Sequence, residues 1–337
     1  MTAKIYIIVI SLMTFTSAIC QSPSENISFS KRIRVITDND FSGDPDGLFQ
    51  LTHLLLSPSV ETRGIIGSHI NVKDFIDPSE KQAENAAQKA KEVVKLLHME
   101  DHVPVLTGSN KAMQNDSTAV KSEAVDFIIK EALRTDTKQP LYILCGAGLT
   151  EIASALLTSP SIAGKFTLIW IGGPEYLTIA FPPPHASKTE YNLNIDINAA
   201  RVVFNKSAVA LWQVPRDVYR QAVIPLSQLL LNVKPEGEIG DFLFRQLIEL
   251  MNRLHNVGET YILGDSPLVL LTALQTYFEP DPASSFYQKL AAPQINGQGQ
   301  YEDNPNGRTI RVYTKIDASL MFNDFFAKLE LFNRGRK

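Results

Sequence analysis

Four aspartates lie within a nine-residue stretch near the start of the chain, at Asp38, Asp40, Asp44 and Asp46. A short apolar run typical of a buried strand precedes them, and an apolar helical stretch follows directly. Four like charges this close repel one another unless water or a cation screens them, and hard divalent cations prefer carboxylate oxygens. The pattern therefore indicates a cation-binding loop at the carboxyl end of a strand, where open α/β sheets bind their ligands.

Part of this acidic loop also has a purely structural explanation. Asp44 stands directly before Pro45, as an N-cap residue stands before a proline in the first turn of a helix. Asp38 could accept hydrogen bonds from backbone donors at the end of the strand. Capping does not account for Asp40 and Asp46 as well, so the spacing favours metal binding by the loop.

The composition is that of an ordinary globular protein. The chain has 337 residues, 44% of them hydrophobic, and a formal net charge of -4. This length suits one large α/β domain or two small ones. The mild acidity gives no support to binding of nucleic acid or of a membrane surface.

The first 20 residues have the character of a signal peptide. Lys4 precedes a short apolar core, and small polar residues follow it. That core is too short for a permanent membrane span. We therefore expect an exported protein, cleaved near Cys20 unless that cysteine is lipid-modified, with residues 21–30 as a flexible lead-in. Removal of Cys20 would leave only Cys145, so no intrachain disulfide is expected.

Strands and helices alternate over the first two thirds of the chain, which predicts one domain over residues 31–337. Strands are predicted at 34–37, 61–68, 103–106, 141–144, 166–171, 208–214 and 309–313. Helices are predicted at 48–55, 78–97, 119–133, 149–157, 196–204, 226–231, 239–254, 267–277 and 318–331. The order predicts an α/β fold with a doubly wound, mainly parallel sheet and helices on both faces. Right-handed crossovers would gather the strand carboxyl ends at one rim, with Asp40, Asn71, Cys145 and Gly173.

One interpretation of Asp38-Asn39-Asp40 after a strand is a haloacid-dehalogenase-type phosphatase. Asp38 would then attack phosphorus, Asp40 would serve as acid and base, and magnesium would neutralise charge. Gly264-Asp265-Ser266 could supply the late acidic motif. Against this, the loop continues into Asp44-Pro45-Asp46, which that family does not need, and no clear lysine motif follows.

The sequence more closely resembles the inosine/uridine-preferring nucleoside hydrolases. Their signature, Asp-x-Asp-Pro-Gly-x-Asp-Asp after a strand, has a variant here over residues 38–46. Further similar segments follow in the family's order: Asn71, Glu84-Asn85-Ala86, residues 145–153, Ile171-Gly172-Gly173, residues 190–196 and Asp265. The resemblance covers most of the chain beyond the signal peptide.

The resemblance implies calcium-dependent hydrolysis of the N-glycosidic bond of a nucleoside or related N-riboside. Such a reaction passes through an oxocarbenium-like sugar cation, which water attacks. A calcium ion would lower the pKa of that water and bind the ribose diol. The implied metal ligands are Asp40, Asp46, the backbone carbonyl of Cys145 and Asp265, and Asp40 would also accept the proton from water. The implied sugar-binding residues are Asp44, Asn71, Glu190 and Asn192.

The departures from the family pattern leave alternatives open. Pro45 splits the family's two adjacent aspartates, so either Asp44 or Asp46 could be the second ligand, with Asp46 preferred. Gly264 stands where many relatives have a histidine that protonates the leaving base, which leaves His185 and Tyr191 as candidates. A non-catalytic relative that binds a sugar or riboside is a third possibility. The sequence does not fix the base or the oligomeric state; a homo-oligomer is possible.

Overall fold

A computed structural model describes residues 29–254, 258–274 and 285–335. The predicted signal peptide and the lead-in up to residue 28 lie outside the described residues. No helix within these ranges is both long and apolar enough to cross a membrane.

The strands of the described chain fall into one large sheet and two short ribbons. They are β1 (Ile33–Asn39), β2 (Val60–Gly67), β3 (Val105–Thr107), β4 (Leu141–Cys145), β5 (Phe166–Ile171), β6 (Ala210–Val214), β7 (Val223–Pro225), β8 (Thr260–Ile262), β9 (Phe286–Ala291), β10 (Gln294–Ile295), β11 (Tyr301–Glu302) and β12 (Thr309–Lys315). The large sheet has the order β3-β2-β1-β4-β5-β6-β12-β9, and the ribbons pair β10 with β11 and β7 with β8.

The helices connect and cover these strands. They are α1 (Asp46–Leu55), α2 (Gln82–Leu96), α3 (Glu123–Ala132), α4 (Thr150–Thr158), α5 (Tyr191–Ile195), α6 (Ile197–Arg201), α7 (Arg216–Tyr219), α8 (Leu226–Asn232), α9 (Gly237–Leu254), α10 (Pro267–Leu270) and α11 (Ala318–Arg334). A 3₁₀ turn covers Pro160–Gly164, and a π-helical turn covers Val202–Lys206.

The sheet confirms the predicted fold class. In the spatial order of the large sheet, all neighbouring strands from β3 to β12 are parallel, and only the edge strand β9 runs antiparallel to its neighbour β12. Strand order reverses between β1 and β4, because the chain winds outward from β1 in one direction and then returns to build the other half. In doubly wound sheets such a switch point opens a crevice at the carboxyl ends of the strands.

Side chains that alternate along the strands build one core on each face of the sheet. Val35 and Ile65 face the core formed with α1, α2, α9 and α11. Their neighbours Ile36 and Ile66 face the core formed with α3, α4 and α6. This double burial explains why the central strands β4 and β5 are almost entirely apolar.

Several predicted boundaries differ from the structure for local reasons. The helix predicted from residue 119 begins after Ser122, whose hydroxyl accepts from the Val125 backbone N–H as an N-cap. The helix predicted over 196–204 is divided into α6 and the π-helical turn. The helix predicted over 267–277 has α10 only to Leu270, with a turn to residue 274; residues 275–277 lie outside the described residues. β9 was not predicted because its mostly exposed residues lack apolar alternation.

Close packing of α2 on β2 provides a test of this fold. A Cβ atom at Gly67 would lie 2.2 Å from the backbone nitrogen of Ala87, so Gly67→Ala must push the helix off the strand. We expect the free energy of unfolding to fall by about 2 kcal/mol or more, measured by denaturant titration. Gly164→Ala is the control, because a Cβ there would meet nothing within 4 Å; equal losses in the two variants would contradict the packing.

Candidate active site

A cavity of about 410 Å³ opens at the carboxyl edge of the sheet. The polar residues that line it are Asp40, Asp44, Asp46, Asp74, Glu190, Tyr191, Asn192, Tyr219, Arg220, Tyr261 and Asp265, and Gly146 and Gly264 line it as well. The apolar lining residues are Phe75, Ile76, Ile171, Leu250, Leu254 and Ile262. The volume lies within the range of small-molecule sites, roughly 300–1,000 Å³.

The acidic loop and Asp265 meet in this cavity although 219 residues separate Asp46 from Asp265. Asp46 begins α1, and its Oδ2 accepts a hydrogen bond of 3.1 Å from the backbone N–H of Asp265. Both carboxylate oxygens of Asp44 accept from the Tyr261 hydroxyl, at 2.9 and 2.8 Å. These contacts attach the loop after β1 to β8, which contains Tyr261, and to the turn after β8, which contains Asp265.

The prediction that Asp44 is the N-cap residue of α1 is wrong, because Pro45 occupies that position and α1 has no side-chain cap hydrogen bond. Asp44 lies one residue earlier, and its Oδ1 accepts from the backbone N–H of Asp46 at 3.2 Å. Asp44 therefore binds the backbone at the start of α1 and also lines the cavity.

Removal of these carboxyls from bulk water raises their pKa values. Burial raises the pKa of Asp44 to about 6. Burial, together with the nearby charges of Asp44 and Glu190, raises the pKa of Asp265 to about 7. Hydrogen bonds with Asn39 and Asp46 lower this pKa but do not outweigh the burial. Burial followed by the neighbouring aspartates raises the pKa of Asp40 and of Asp46 well above their usual range. Asp44 and Asp265 therefore exchange protons near neutral pH.

Glu190 and Asn192 face the acids from the start of α5. Glu190 is 1% exposed, and its Oε2 accepts from the backbone N–H groups of Gly173 and Leu193. Asn192 donates through Nδ2 to the carbonyls of Gly146, after β4, and Ile171, at the end of β5. Because both amide hydrogens are used, Asn192 can offer only its Oδ1 to a ligand.

Asn71 and Tyr191 stand at the rim. The Asn71 carboxamide oxygen accepts from Asn194 Nδ2 at 2.9 Å, and Asn71 itself is not among the cavity-lining residues. Tyr191 does line the cavity, and its hydroxyl donates to Asp74 Oδ2 at 2.8 Å.

Three residues singled out by the sequence lie away from the cavity. Asp38 is fully buried and accepts a hydrogen bond from the Ser68 hydroxyl behind the site. Cys145 ends β4 with its thiol directed to the carbonyls of Ala147 and Gly148, and the next residue, Gly146, lines the cavity instead. His185 is exposed in the connection after β5, with a left-handed backbone φ of 62°. The position of Asp38 argues against the phosphatase interpretation, since its carboxylate faces no substrate space.

Several cavity residues carry no sequence signal. Tyr219 packs beside Gly264, where an added Cβ would lie 3.4 Å from the tyrosine ring, and its hydroxyl donates to Glu190 Oε1 at 3.0 Å. Tyr261 contacts Asp44, and Asp74 contacts Tyr191; in each pair the two residues are more than a hundred positions apart. Periodicity and short motifs do not report such distant contacts.

A buried ion pair fixes the long connection that carries Glu190. Arg216, at the start of α7, binds both carboxylate oxygens of Glu175 at 2.7 and 2.6 Å. Its Nη1 donates to the Ser187 carbonyl at 3.1 Å. This two-pronged geometry holds both ends of the proline-rich stretch against the rim.

The donor set does not fit the calcium ion that the resemblance implies. Asp44 is held by Tyr261, Asp46 accepts from the backbone of Asp265, and Asp265 Oδ2 accepts from Asn39 Nδ2 at 2.9 Å. Within 29–254, 258–274 and 285–335, no three or more histidine, cysteine or acidic residues are arranged to hold a metal ion. The Asn39 amide N–H thus binds one of the carboxylate oxygens that a calcium ion would need.

A family model described as inosine-uridine preferring nucleoside hydrolase matches residues 35–323 of the chain. The protein belongs to this family. The match includes at least part of every strand of the large sheet, and it makes the protein a hydrolase that acts on N-glycosyl bonds. No curated protein sequence matches the chain significantly.

Solved structures of nucleoside hydrolases share the fold. A purine-preferring ribonucleoside hydrolase from Gardnerella vaginalis matches with a TM-score of 0.68 and 20% identity, over 89% of this chain and 99% of its own. An inosine-uridine preferring nucleoside hydrolase from Bacillus anthracis matches with a TM-score of 0.61 and 18% identity, over 88% and 99%. A plant nucleoside hydrolase matches with a TM-score of 0.65 and 15% identity, over 89% and 99%. At these identities the likeness establishes the fold and leaves the substrate open.

The raised pKa of Asp265 predicts how stability depends on pH. Folding favours the protonated carboxyl, so this contribution is fully present below about pH 4 and is lost as the pH rises through about 7. Asp265→Asn cannot titrate there, so its unfolding free energy should fall less across this window than that of the native protein, measured by denaturant titration at each pH. Asp136→Asn should match the native slope, because its Arg134 hydrogen bond lowers the pKa of Asp136 to about 2; a native slope in Asp265→Asn would refute the assignment.

Proposed function

We propose that this protein hydrolyses the N-glycosidic bond of a nucleoside or a related N-riboside, releasing the base and the free sugar. The observation that carries the proposal is one cavity in which Asp40 lies among acidic residues while Glu190 and Asn192 line the wall nearby. Family membership supports hydrolysis of an N-glycosyl bond. The substrate and the residue roles rest on the chemistry of the side chains.

Asp40 is the group we assign to water activation. It is 5% exposed, and among the residues that the structure describes no side chain donates a hydrogen bond to its carboxylate. Burial and the charges of Asp265, Asp44 and Asp74 raise its pKa, which makes the carboxylate a stronger base. A base of raised pKa can take the proton from water as the bond to the sugar forms.

Glu190, Asn192 and Asp44 are the groups we assign to the sugar. Asn192 offers an acceptor oxygen, because its nitrogen is used by Gly146 and Ile171. Glu190 keeps capacity at Oε1 beside the Tyr219 hydroxyl. Acceptors suit the hydroxyl donors of a ribose, and holding the ring in one orientation lowers the entropic part of the barrier. Asn71 stands at the rim, where it would act through Asn194 and Tyr191.

Apolar residues that line the cavity suit the base. Phe75, Ile76 and Leu250 are among them, and Arg253 fixes the Phe75 segment through hydrogen bonds to the Phe75 and Ile76 carbonyls. A flat heterocycle gains from burial against apolar side chains and from stacking on an aromatic ring. We therefore assign the base to these residues.

Tyr191 is our candidate for assisting the leaving base. Its hydroxyl lies in the cavity, whereas His185 is exposed outside it. Burial and the charges of Asp40 and Asp74 raise the pKa of Tyr191, so it stays protonated and acts as a hydrogen-bond donor. Its single hydroxyl hydrogen binds Asp74 Oδ2 in the free protein. In the substrate complex this hydrogen would turn to the departing base and stabilise its negative charge without full proton transfer.

Export after removal of residues 1–20 is a separate proposal, and it rests on the sequence of that segment alone. Calcium dependence is an expectation of the family resemblance only; the present contacts of the acids do not support it, so no step here uses a cation.

The first test is a panel of purine and pyrimidine nucleosides, read by release of reducing sugar. The native protein should turn over at least one member, and Asp40→Asn should lose at least about 100-fold in kcat, since general-base groups typically contribute that much. Asp136→Asn, an exposed carboxylate far from the cavity, should retain the native rate.

Other outcomes of this panel select the alternatives. Binding of ribosides with no release of sugar would replace the hydrolase with a sugar-binding relative. Magnesium-dependent cleavage of a phosphomonoester would restore the phosphatase, against the buried position of Asp38.

A second test separates the two candidates for the leaving base. Tyr191→Phe should lower kcat about 10-fold or more, because one hydrogen bond to developing charge is lost, whereas His185→Ala should leave kcat unchanged. The measurement is steady-state kinetics on the best substrate of the panel. A rate loss in His185→Ala alone would reverse the assignment.

A further inference from the structure

The Asn39 carboxamide lies beneath the acids and has no exposed surface. Its Nδ2 donates to Asp265 Oδ2 at 2.9 Å, and its Oδ1 accepts from the backbone N–H of Asp40 at 2.8 Å. The backbone hydrogen bond fixes which end of the amide faces Asp265. The nitrogen end, a donor, is therefore held against the carboxylate.

Two glycines make the space for this side chain. A Cβ at Gly47, in the first turn of α1, would lie 2.9 Å from Asn39 Nδ2. A Cβ at Gly146, after β4, would lie 2.5 Å from the same atom. Any side chain at either position would displace the carboxamide, so two separate segments of the chain leave room for it.

The amide gives the acids a partner of suitable polarity without adding an ion. Buried carboxylates need donors or opposite charge to offset lost hydration. Asn39 supplies a donor to Asp265, while the Asp265 backbone N–H supplies one to Asp46. The Asn39 nitrogen binds Asp265 Oδ2, one of the oxygens that a divalent cation at this place would need.

We propose that Asn39 takes the structural place of a divalent cation, and that this protein holds its acidic residues together without calcium. Asn39 is a positioning residue that acts through Asp265. The inference concerns the same site as the proposed function, and its main readout is cation binding, so it can fail or hold independently of hydrolysis.

The test begins with the full-length native protein. Elemental analysis after purification should find no stoichiometric calcium, and millimolar calcium or a chelator should leave the melting temperature unchanged. If the nucleoside panel gives activity, the chelator should also leave the rate of sugar release unchanged.

Asn39→Asp then replaces the amide nitrogen with a carboxylate oxygen facing Asp265. This variant should be less stable without calcium, because two carboxylates then oppose each other at hydrogen-bond distance. Calcium should raise its melting temperature by about 5 °C when present at about 100 times its dissociation constant. Calorimetric titration should detect the binding directly.

Asn205→Asp is the matched control. Asn205 is also held through both ends of its amide, by the carbonyl and N–H of Ile295, and no carboxylate among the described residues is hydrogen-bonded to it. This variant should lose stability and gain no response to calcium. Stoichiometric calcium in the native protein, a calcium-induced rise in its melting temperature, or equal calcium responses in the two variants would overturn the proposal.

Discussion

The enclosure of several aspartates in one cavity is the constraint on which the rest of this structure depends. Three of these carboxylates find donors in the protein, whereas among the described residues no side chain donates to Asp40. Tyr261 serves Asp44, the backbone of Asp265 serves Asp46, and Asn39 serves Asp265. The loop after β1 and the segment after β8 therefore fix each other's position, and neither has this arrangement alone.

The parallel sheet makes this convergence possible because its strands end on one edge. β1 and β4 are neighbours, with Asp38 paired to Cys145, so the acidic loop and Gly146 emerge side by side. β5 ends next to β4, and Asn192 joins the two strand ends by donating to the carbonyls of Gly146 and Ile171. The cores on the two faces then hold the strands in register. A rigid edge of this kind lets short loops present side chains with little freedom to move.

The fold could be predicted from the sequence because its strands are short runs of β-branched residues between helices with a clear apolar stripe. The meeting of the acidic loop with Asp265 was expected from the family resemblance alone, because the predicted topology brought only Asp40, Asn71, Cys145 and Gly173 to the rim. Asn39 was unrecognised, since it sits as the spacer between two aspartates and its partner is 226 residues away. Tyr219 and Tyr261 lack any local pattern for the same reason. β9 was missed because an edge strand with mostly exposed residues has no apolar alternation to report.

The link between Asp46 and the backbone of Asp265 spans 219 residues. A ribosome that synthesises the chain from its amino terminus produces the acidic loop early and its partner late. β1, β2 and β4 can pair long before that, because all three precede residue 146. The scaffold can therefore form during synthesis, while the cavity is completed only when the last third of the polypeptide has emerged. Premature termination before residue 265 would remove β9, β12 and Asp265, so Asp46 would lose its backbone donor.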